Sequence, residues 1–247
     1  MTHPAYDIIG PARQGRWLIT CDHAANTVPD WIGNGTLGLP DSEMIRHIAL
    51  DCGAAGLTRA LARHLDSPAI LSRFSRLVID PNRGEDDPTL IMQLYDGTVI
   101  PANRRLTAQD RAERLDRLYR PYHAALADLA ARRADTVICA IHTFTPQLKG
   151  RPPRPWSVGV LHSHRDSRLA LPLIAGLRAL GGFDVGDNQP YSGHLPGDAV
   201  DRHALDHGRP NVLIELRHDL IADDAAQEGW AARLAPVLQG ALASCSL

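Results

Sequence analysis

The chain has 247 residues, 44% of them hydrophobic and 22% charged, enough to bury a sizeable core in one large domain or at most two. A formal net charge of −2 removes the electrostatic case for nucleic acid or an anionic membrane surface as a partner. No apolar run approaches a membrane span, and the N-terminus has neither the basic nor the apolar region of a signal peptide, so a soluble, cytoplasmic protein is expected.

The first apolar run, residues 17–20, has strand chemistry and stops on Asp22 and His23. In an open α/β sheet, strand ends line the edge where ligands bind. A loop with Pro29, Gly33, Gly35, Gly38 and Pro40 follows. Ile45, Ile48, Ala49, Cys52, Ala55 and Leu57 then recur at near-helical spacing. This predicts a helix over about 41–64, capped by Asp41 or Ser42, with His47 and Asp51 on one face. After the Ser67-Pro68 break, a strand over Leu77 to Ile79 is expected to end on Asp80, Pro81, Asn82 and Arg83. Residues 84–101 are polar and turn-rich, and Thr107 caps a long helix to about Arg133 with Leu115, Leu118, Tyr122, Leu126 and Leu129 as its apolar stripe.

The run 136–141 is wholly apolar and ends on His142. A proline-rich loop carrying Lys149, Arg151 and Arg154 leads to a strand at 157–161 and a helix at 168–180. Residues 183–208 read mostly as loop, with Arg202 and His203 near its end. A strand at 211–214 ends on Glu215, and a closing helix covers about 223–242. Strands alternating with helices imply one domain, 1–247: a three-layer αβα unit with a mainly parallel, mixed sheet. The four cysteines, Cys21, Cys52, Cys139 and Cys245, form no CxxC pair, and three of them sit in or beside apolar runs as expected for reduced buried thiols.

Four expected strand ends therefore carry Asp22-His23, Asn82-Arg83, His142 and Glu215, and a parallel sheet gathers such ends on one edge. Two histidines and an oxygen ligand suit a catalytic zinc ion with an open coordination position. Asp51, Asp22 and Asn26 are the candidate oxygen ligands. A separate carboxylate must move the proton of the attacking water, which suits Glu215, and Arg83 offers a fixed fork for a substrate carboxylate. Plainer roles exist for each: Asp80 and Arg83 as a structural ion pair, Glu215 paired with Arg217 or Arg202, Asp51 as a solvated carboxylate, Arg151 and Arg154 as a solvated loop.

The stretches DHAANTVP at 22–29, HIALDCGA at 47–54, RLVIDPNR at 76–83, HTFTP at 142–146, RPWSVGV at 154–160 and IELRHDL at 214–220 resemble the N-formylglutamate amidohydrolase family, in order and spacing, over nearly the whole chain. The resemblance implies a phosphorylase/hydrolase-like, zinc exopeptidase-like fold related to zinc-dependent carboxypeptidases and aspartoacylases. It also implies a zinc-dependent hydrolase of linear amide bonds in amino-acid catabolism. His23 and His142 match the histidine ligands, Glu215 the general base, and Asn82 and Arg83 the holders of the substrate carboxylate. Those relatives carry His-x-x-Glu at the first metal strand. This chain has His23 and Asn26 at that spacing, so Asp51 is the favoured third ligand. Arg151 and Arg202 are candidates for stabilising the oxyanion, and His203 for touching substrate. The expected substrate is an N-formyl or N-acyl amino acid such as N-formylglutamate. An aspartoacylase- or carboxypeptidase-like amidohydrolase and a non-catalytic small-molecule binder are the alternatives.

Overall fold

The computed structural model describes residues 3–245. In chain order, β1 (Tyr6–Ile9) and β2 (Trp17–Cys21) precede a single helical turn α1 (Asp41–Met44) and helix α2 (Ala54–His64). Next come β3 (Ala69–Ser72), a small hairpin of β4 (Leu94–Tyr95) and β5 (Thr98–Val99), and α3 (Ala108–Arg114). Helix α3 runs through a π-helical turn (Leu115–Tyr119) into α4 (Arg120–Ala131). The second half holds β6 (Val137–Phe144), β7 (Val158–Leu161), α5 (Ala170–Leu180), β8 (Val185–Asp187), α6 (Ala199–His203), β9 (Asn211–Arg217) and α7 (Asp224–Ser244).

Seven strands form one sheet in the order β1-β3-β2-β6-β9-β7-β8. The central strands β3, β2, β6 and β9 are mutually parallel, while β1 and β7 pair antiparallel with β3 and β9. Alternate side chains of each central strand enter opposite cores, as the pleat requires. Trp17, Ile19, Val137, Cys139, Val212 and Ile214 join the core under α2, α5 and α7. Leu18, Ile138, Ala140 and Leu213 join the core that holds Leu118, Tyr122 and Leu126. Leu57, Leu61, Leu234 and Leu238 are fully buried between α2, α7 and the sheet, each contributing on the order of 1.5–3 kcal/mol. By the same alternation, His142 on β6 and Glu215 on β9 project from the α4 face of the sheet.

Three expectations are corrected. The helix expected over 41–64 is broken: only its ends are helical, and Asp51 lies in the connection before α2, so it shares no helix face with His47. Local periodicity loses here to tertiary hydrogen bonds. The Asp51 amide donates to the His23 carbonyl at 3.0 Å, and the Ser75 hydroxyl donates to the Ala49 carbonyl at 2.8 Å. Gly53, with φ of 78°, starts α2; a Cβ there would meet the Ile221 carbonyl oxygen at 2.6 Å.

The second correction concerns Leu77 to Ile79, which are buried but form no strand. The buried Asn103 amide donates to the Leu77 and Met92 carbonyls at 2.7 Å each, and Arg114 donates to the Val78 carbonyl at 2.7 Å. These side chains replace a β-ladder in satisfying a buried backbone. The strand of this region is β3, just upstream. Third, β6 and β9 extend past the predicted ends, so His142 and Glu215 lie within strands rather than at their tips.

Other expectations stand. Thr107 and Asp110 form a reciprocal capping box at the start of α3. The long helix continues to Ala131, with its π turn just ahead of Pro121, a residue that has no amide hydrogen for the regular ladder. All four cysteines are free; Cys21 and Cys139 are buried, Cys52 and Cys245 partly so. No helix among the described residues is long and apolar enough to cross a membrane.

Candidate active site

Strand β2 delivers Asp22 and His23 to the carboxyl edge of the sheet, and β6 delivers His142 beside them. Their imidazole rings meet edge to face, with centroids 4.8 Å apart. One carboxylate oxygen serves both: Asp51 Oδ2 lies 3.3 Å from His23 Nδ1 and 2.9 Å from His142 Nδ1. The Thr143 amide also donates to that oxygen, at 3.2 Å, tying the Asp51 connection to β6. One ligand atom each from His23, Asp51 and His142 lies within 4.8 Å of the others, so the three form a candidate cation site.

The far nitrogens are anchored. His23 Nε2 lies 2.7 Å from Asp80 Oδ1, and His142 Nε2 lies 3.2 Å from Asp22 Oδ2. A carboxylate only accepts, so each Nε2 donates to its outer carboxylate, and the two Nδ1 atoms point to the shared oxygen of Asp51, the side on which a cation would sit. This is the arrangement in which second carboxylates set the tautomer and orientation of metal-binding imidazoles. The donor chemistry of the cluster, two imidazole nitrogens and one carboxylate oxygen, fits a divalent cation.

The network extends in both directions. The Tyr122 hydroxyl, from α4, donates to Asp22 Oδ1 at 2.6 Å. Arg76 donates from Nε and Nη2 to Asp80 Oδ2 at 3.1 and 2.8 Å, and from Nη1 to Asp51 Oδ1 at 3.4 Å. Burial alone would raise Asp51 and Asp80; the imidazoles for the first, and Arg76 with His23 for the second, outweigh it and hold both well below the usual carboxylate range. Burial opposes a charge on His142, but Asp22 and Asp51 prevail and raise it well above its ordinary value. Asp80 therefore pairs with Arg76, not with Arg83. Arg83 donates instead to the Thr89 hydroxyl at 3.1 Å and the Asn82 carbonyl at 2.7 Å.

A cleft of about 180 Å³ opens over the cluster. Glu215 lines it, opposite His142 in the β6–β9 ladder. Its Oε2 is buried without a hydrogen-bond partner, and burial pushes its carboxyl up to about 7. A carboxyl so placed is equipped to take and return a proton near neutral pH. Neither Arg217 nor Arg202 pairs with it: Arg217 donates to Asp219, and Arg202 to the Tyr119 hydroxyl.

Asn82 and Arg83 also line the cleft. Other residues singled out in the sequence lie elsewhere. Asn26 donates to the Met44 carbonyl at 2.8 Å, and Asp22 faces the far nitrogen of His142. Arg151 is exposed on its loop, and Arg202 borders a separate surface depression with Glu85. His203 is buried, with Nε2 2.8 Å from His123 Nδ1. Sequence reasoning paired His47, which lines the cleft, with Asp51 but gave it no role, and it missed Arg76, Tyr122, Tyr191 and Asp198. Arg76 stands four residues before Asp80, a spacing that hinted at the pair; nothing in the sequence pointed to the others as neighbours of the cluster.

Seven mostly parallel strands with helices on both faces make a three-layer αβα fold, and its carboxyl edge carries a buried imidazole–carboxylate cluster with an unpartnered glutamic acid beside it. Within that class the chain belongs to the N-formylglutamate amidohydrolase family, whose model matches residues 15–222, and it is a hydrolase on that ground. Among solved structures it is similar to the gene product Atu2144 from Agrobacterium tumefaciens, with 35% identity, a TM-score of 0.91 and coverage of 98% of this chain and 96% of that one. It shares its fold with an N-formylglutamate amidohydrolase from Ralstonia eutropha JMP134 (22% identity, TM-score 0.67, 97% and 96% covered). A bacteriophage poly-gamma-glutamate hydrolase is a more distant likeness (11% identity, TM-score 0.51, 98% and 90% covered). None of the curated proteins matches the chain.

Proposed function

We propose that this chain is a metal-dependent amidohydrolase that cleaves an N-formyl or N-acyl amino acid to the free acid and the amino acid, with N-formylglutamate as the family's reference substrate. The observation that carries this reading is Glu215: a buried carboxyl with an unpartnered oxygen, in a cleft shared with His23, Asp51 and His142. A non-catalytic binder has no use for such a group. His23, His142 and Asp51 would hold the cation, with zinc the metal best suited to two imidazoles and a carboxylate. When bound it would acidify water and polarise an acyl carbonyl.

The protein's own residues do the rest. Glu215 takes a proton from the water that adds to the acyl carbon, then delivers it to the nitrogen as the C–N bond breaks. Its elevated pKa suits both halves of that exchange. Arg83 and Asn82 present guanidinium and amide groups to the carboxylate of the amino acid. Asp22 and Asp80 keep the two imidazoles in register. The test is hydrolysis of N-formylglutamate and related N-acyl amino acids by purified protein, before and after chelation. Full activity in a metal-free preparation would overturn the reading.

A further inference from the structure

The turn that carries Asn82 and Arg83 is held from outside the cleft as well as from within it. Its near end is tied to the cation site: Asp80 Oδ1, which lies 2.7 Å from His23 Nε2, also accepts from the Asn82 amide at 2.9 Å. The Asn82 side chain is oriented in turn. Its Oδ1 accepts from the amide of Ala199, the first residue of α6, at 3.3 Å. With that oxygen engaged, the end left for the cleft is Nδ2, which only donates.

Arg83 is held through its backbone. The Tyr119 hydroxyl donates to the Arg83 carbonyl at 2.6 Å, and Arg202 Nη1, from α6, donates to that hydroxyl at 2.6 Å. Arg202 also lies over the Tyr119 ring, 5.4 Å from its centroid. Tyr119 is buried, and burial pushes its hydroxyl up to about 12, so it stays a donor at neutral pH. Neither Tyr119 nor Arg202 lines the cleft. On the cleft side, Arg83 Nε and Nη1 are engaged by Thr89 and the Asn82 carbonyl, while Arg83 Nη2 and Asn82 Nδ2 make no hydrogen bond among the described residues. Two free donors thus stand on consecutive residues of a turn that α6 grips at both of them.

We infer that Tyr119 and Arg202 are positioning residues for substrate recognition: the Arg202–Tyr119 relay fixes the Arg83 backbone so that Arg83 Nη2 and Asn82 Nδ2 meet the α-carboxylate of the amino acid together. This rests on the amidohydrolase reading, which gives Asn82 and Arg83 that carboxylate. A hydroxyl that merely satisfied a buried carbonyl would matter equally to every ligand. A hydroxyl that sets the spacing of the two donors matters only to a ligand that has the carboxylate.

The test compares N-formyl-L-glutamate with N-formyl-L-isoglutamine, which differ only in having a carboxylate or a carboxamide at the α position. Binding is measured by calorimetry on metal-replete Glu215→Gln protein with and without Tyr119→Phe, and turnover on protein that keeps Glu215. Tyr119→Phe is expected to weaken binding of the acid by about threefold to tenfold and to raise its KM alike, with kcat and the affinity for the carboxamide unchanged. Arg202→Leu probes the relay from its half-buried end and should act in the same direction by a smaller factor. An equal loss for both compounds, a fall in kcat at constant KM, or no selective loss in either variant overturns the inference. Hydrolysis by the unaltered protein with no preference for the acid also overturns it and leaves the amidohydrolase reading standing. The selective loss of binding without hydrolysis of either compound supports the inference and overturns the amidohydrolase reading. Binding of neither compound overturns both.

Discussion

His142 and Glu215 are direct partners across the parallel β6–β9 ladder, so one pair of neighbouring backbones positions both an imidazole of the candidate cation site and the unpartnered carboxyl. Neither side chain depends on a loop for its place. The spacing between strands is set by backbone hydrogen bonds, which makes the relation between the two groups rigid. The consequences of that arrangement can be measured.

Replacing Glu215 by Gln keeps the shape of the residue and removes its ability to carry a proton. We expect kcat to fall by about a hundredfold to ten-thousandfold while metal content and melting temperature stay near those of the parent. Retention of full activity would show that another group moves the proton. Because Glu215 must be ionised to act as a base, activity should rise with pH. The acidic limb should lie at or below about 7, since a bound cation can only draw its pKa down.

Asp22 stands behind the candidate cation site, where it accepts from His142 Nε2 and leaves Nδ1 to face Asp51. Asp22→Asn should weaken metal binding by about 10- to 100-fold in competition with a chromogenic chelator, with the fold intact. Unchanged affinity would reduce Asp22 to a structural neighbour of Tyr122.

Metal uptake should depend on pH through His142. Asp22 and Asp51 raise its pKa well above 6.5 in the metal-free protein, so at neutral pH a cation must displace a proton. Affinity should therefore climb by about tenfold per pH unit up to the raised value, and calorimetry in buffers of different ionisation enthalpy should detect the released proton. The sign for stability is opposite. A histidine whose folded pKa is raised stabilises fully below its unfolded value and loses that contribution as pH rises through the folded one. Metal-free protein should thus melt lower at alkaline pH, and the metal-loaded form should not follow it. A pH-independent affinity would contradict the assignment of His142 as a ligand.

Gly53→Ala tests how Asp51 is placed. A side chain at φ of 78° is strained, and its Cβ would press on the Ile221 carbonyl. We expect a loss of more than about 1 kcal/mol in unfolding free energy and weaker metal binding, because the connection that carries Asp51 must shift. A variant with normal metal affinity would show that the contacts of Asp51 with His23, Arg76 and Thr143 hold it in position whatever the backbone at residue 53 does.

The chain's apolar patterning determined much on its own. The runs at 17–21, 137–141 and 211–214 are too apolar for a surface and mark central strands, and the Asp, His and Glu residues in or just beyond those runs mark the ligand edge. Helices α5 and α7 and the Thr107 cap were legible for the same reason: period and capping are local properties of the backbone. The family motifs, too, lie in the sequence itself. What only the tertiary structure decided is which oxygen faces the imidazoles. Asp22, Asn26 and Asp51 were all candidates, Asn26 the weakest, and Asp51 was favoured only through the family resemblance. Asp51 takes the place because the helix expected to carry it yields to long-range hydrogen bonds, its amide donating to the His23 carbonyl while Ser75 and Thr143 donate to the connection, residues up to 92 positions away. The strand expected at Leu77 failed in the same way, its carbonyls claimed by Asn103 and Arg114. Periodicity reports how a segment prefers to coil, whereas a buried polar group goes to whichever partner the assembled fold provides.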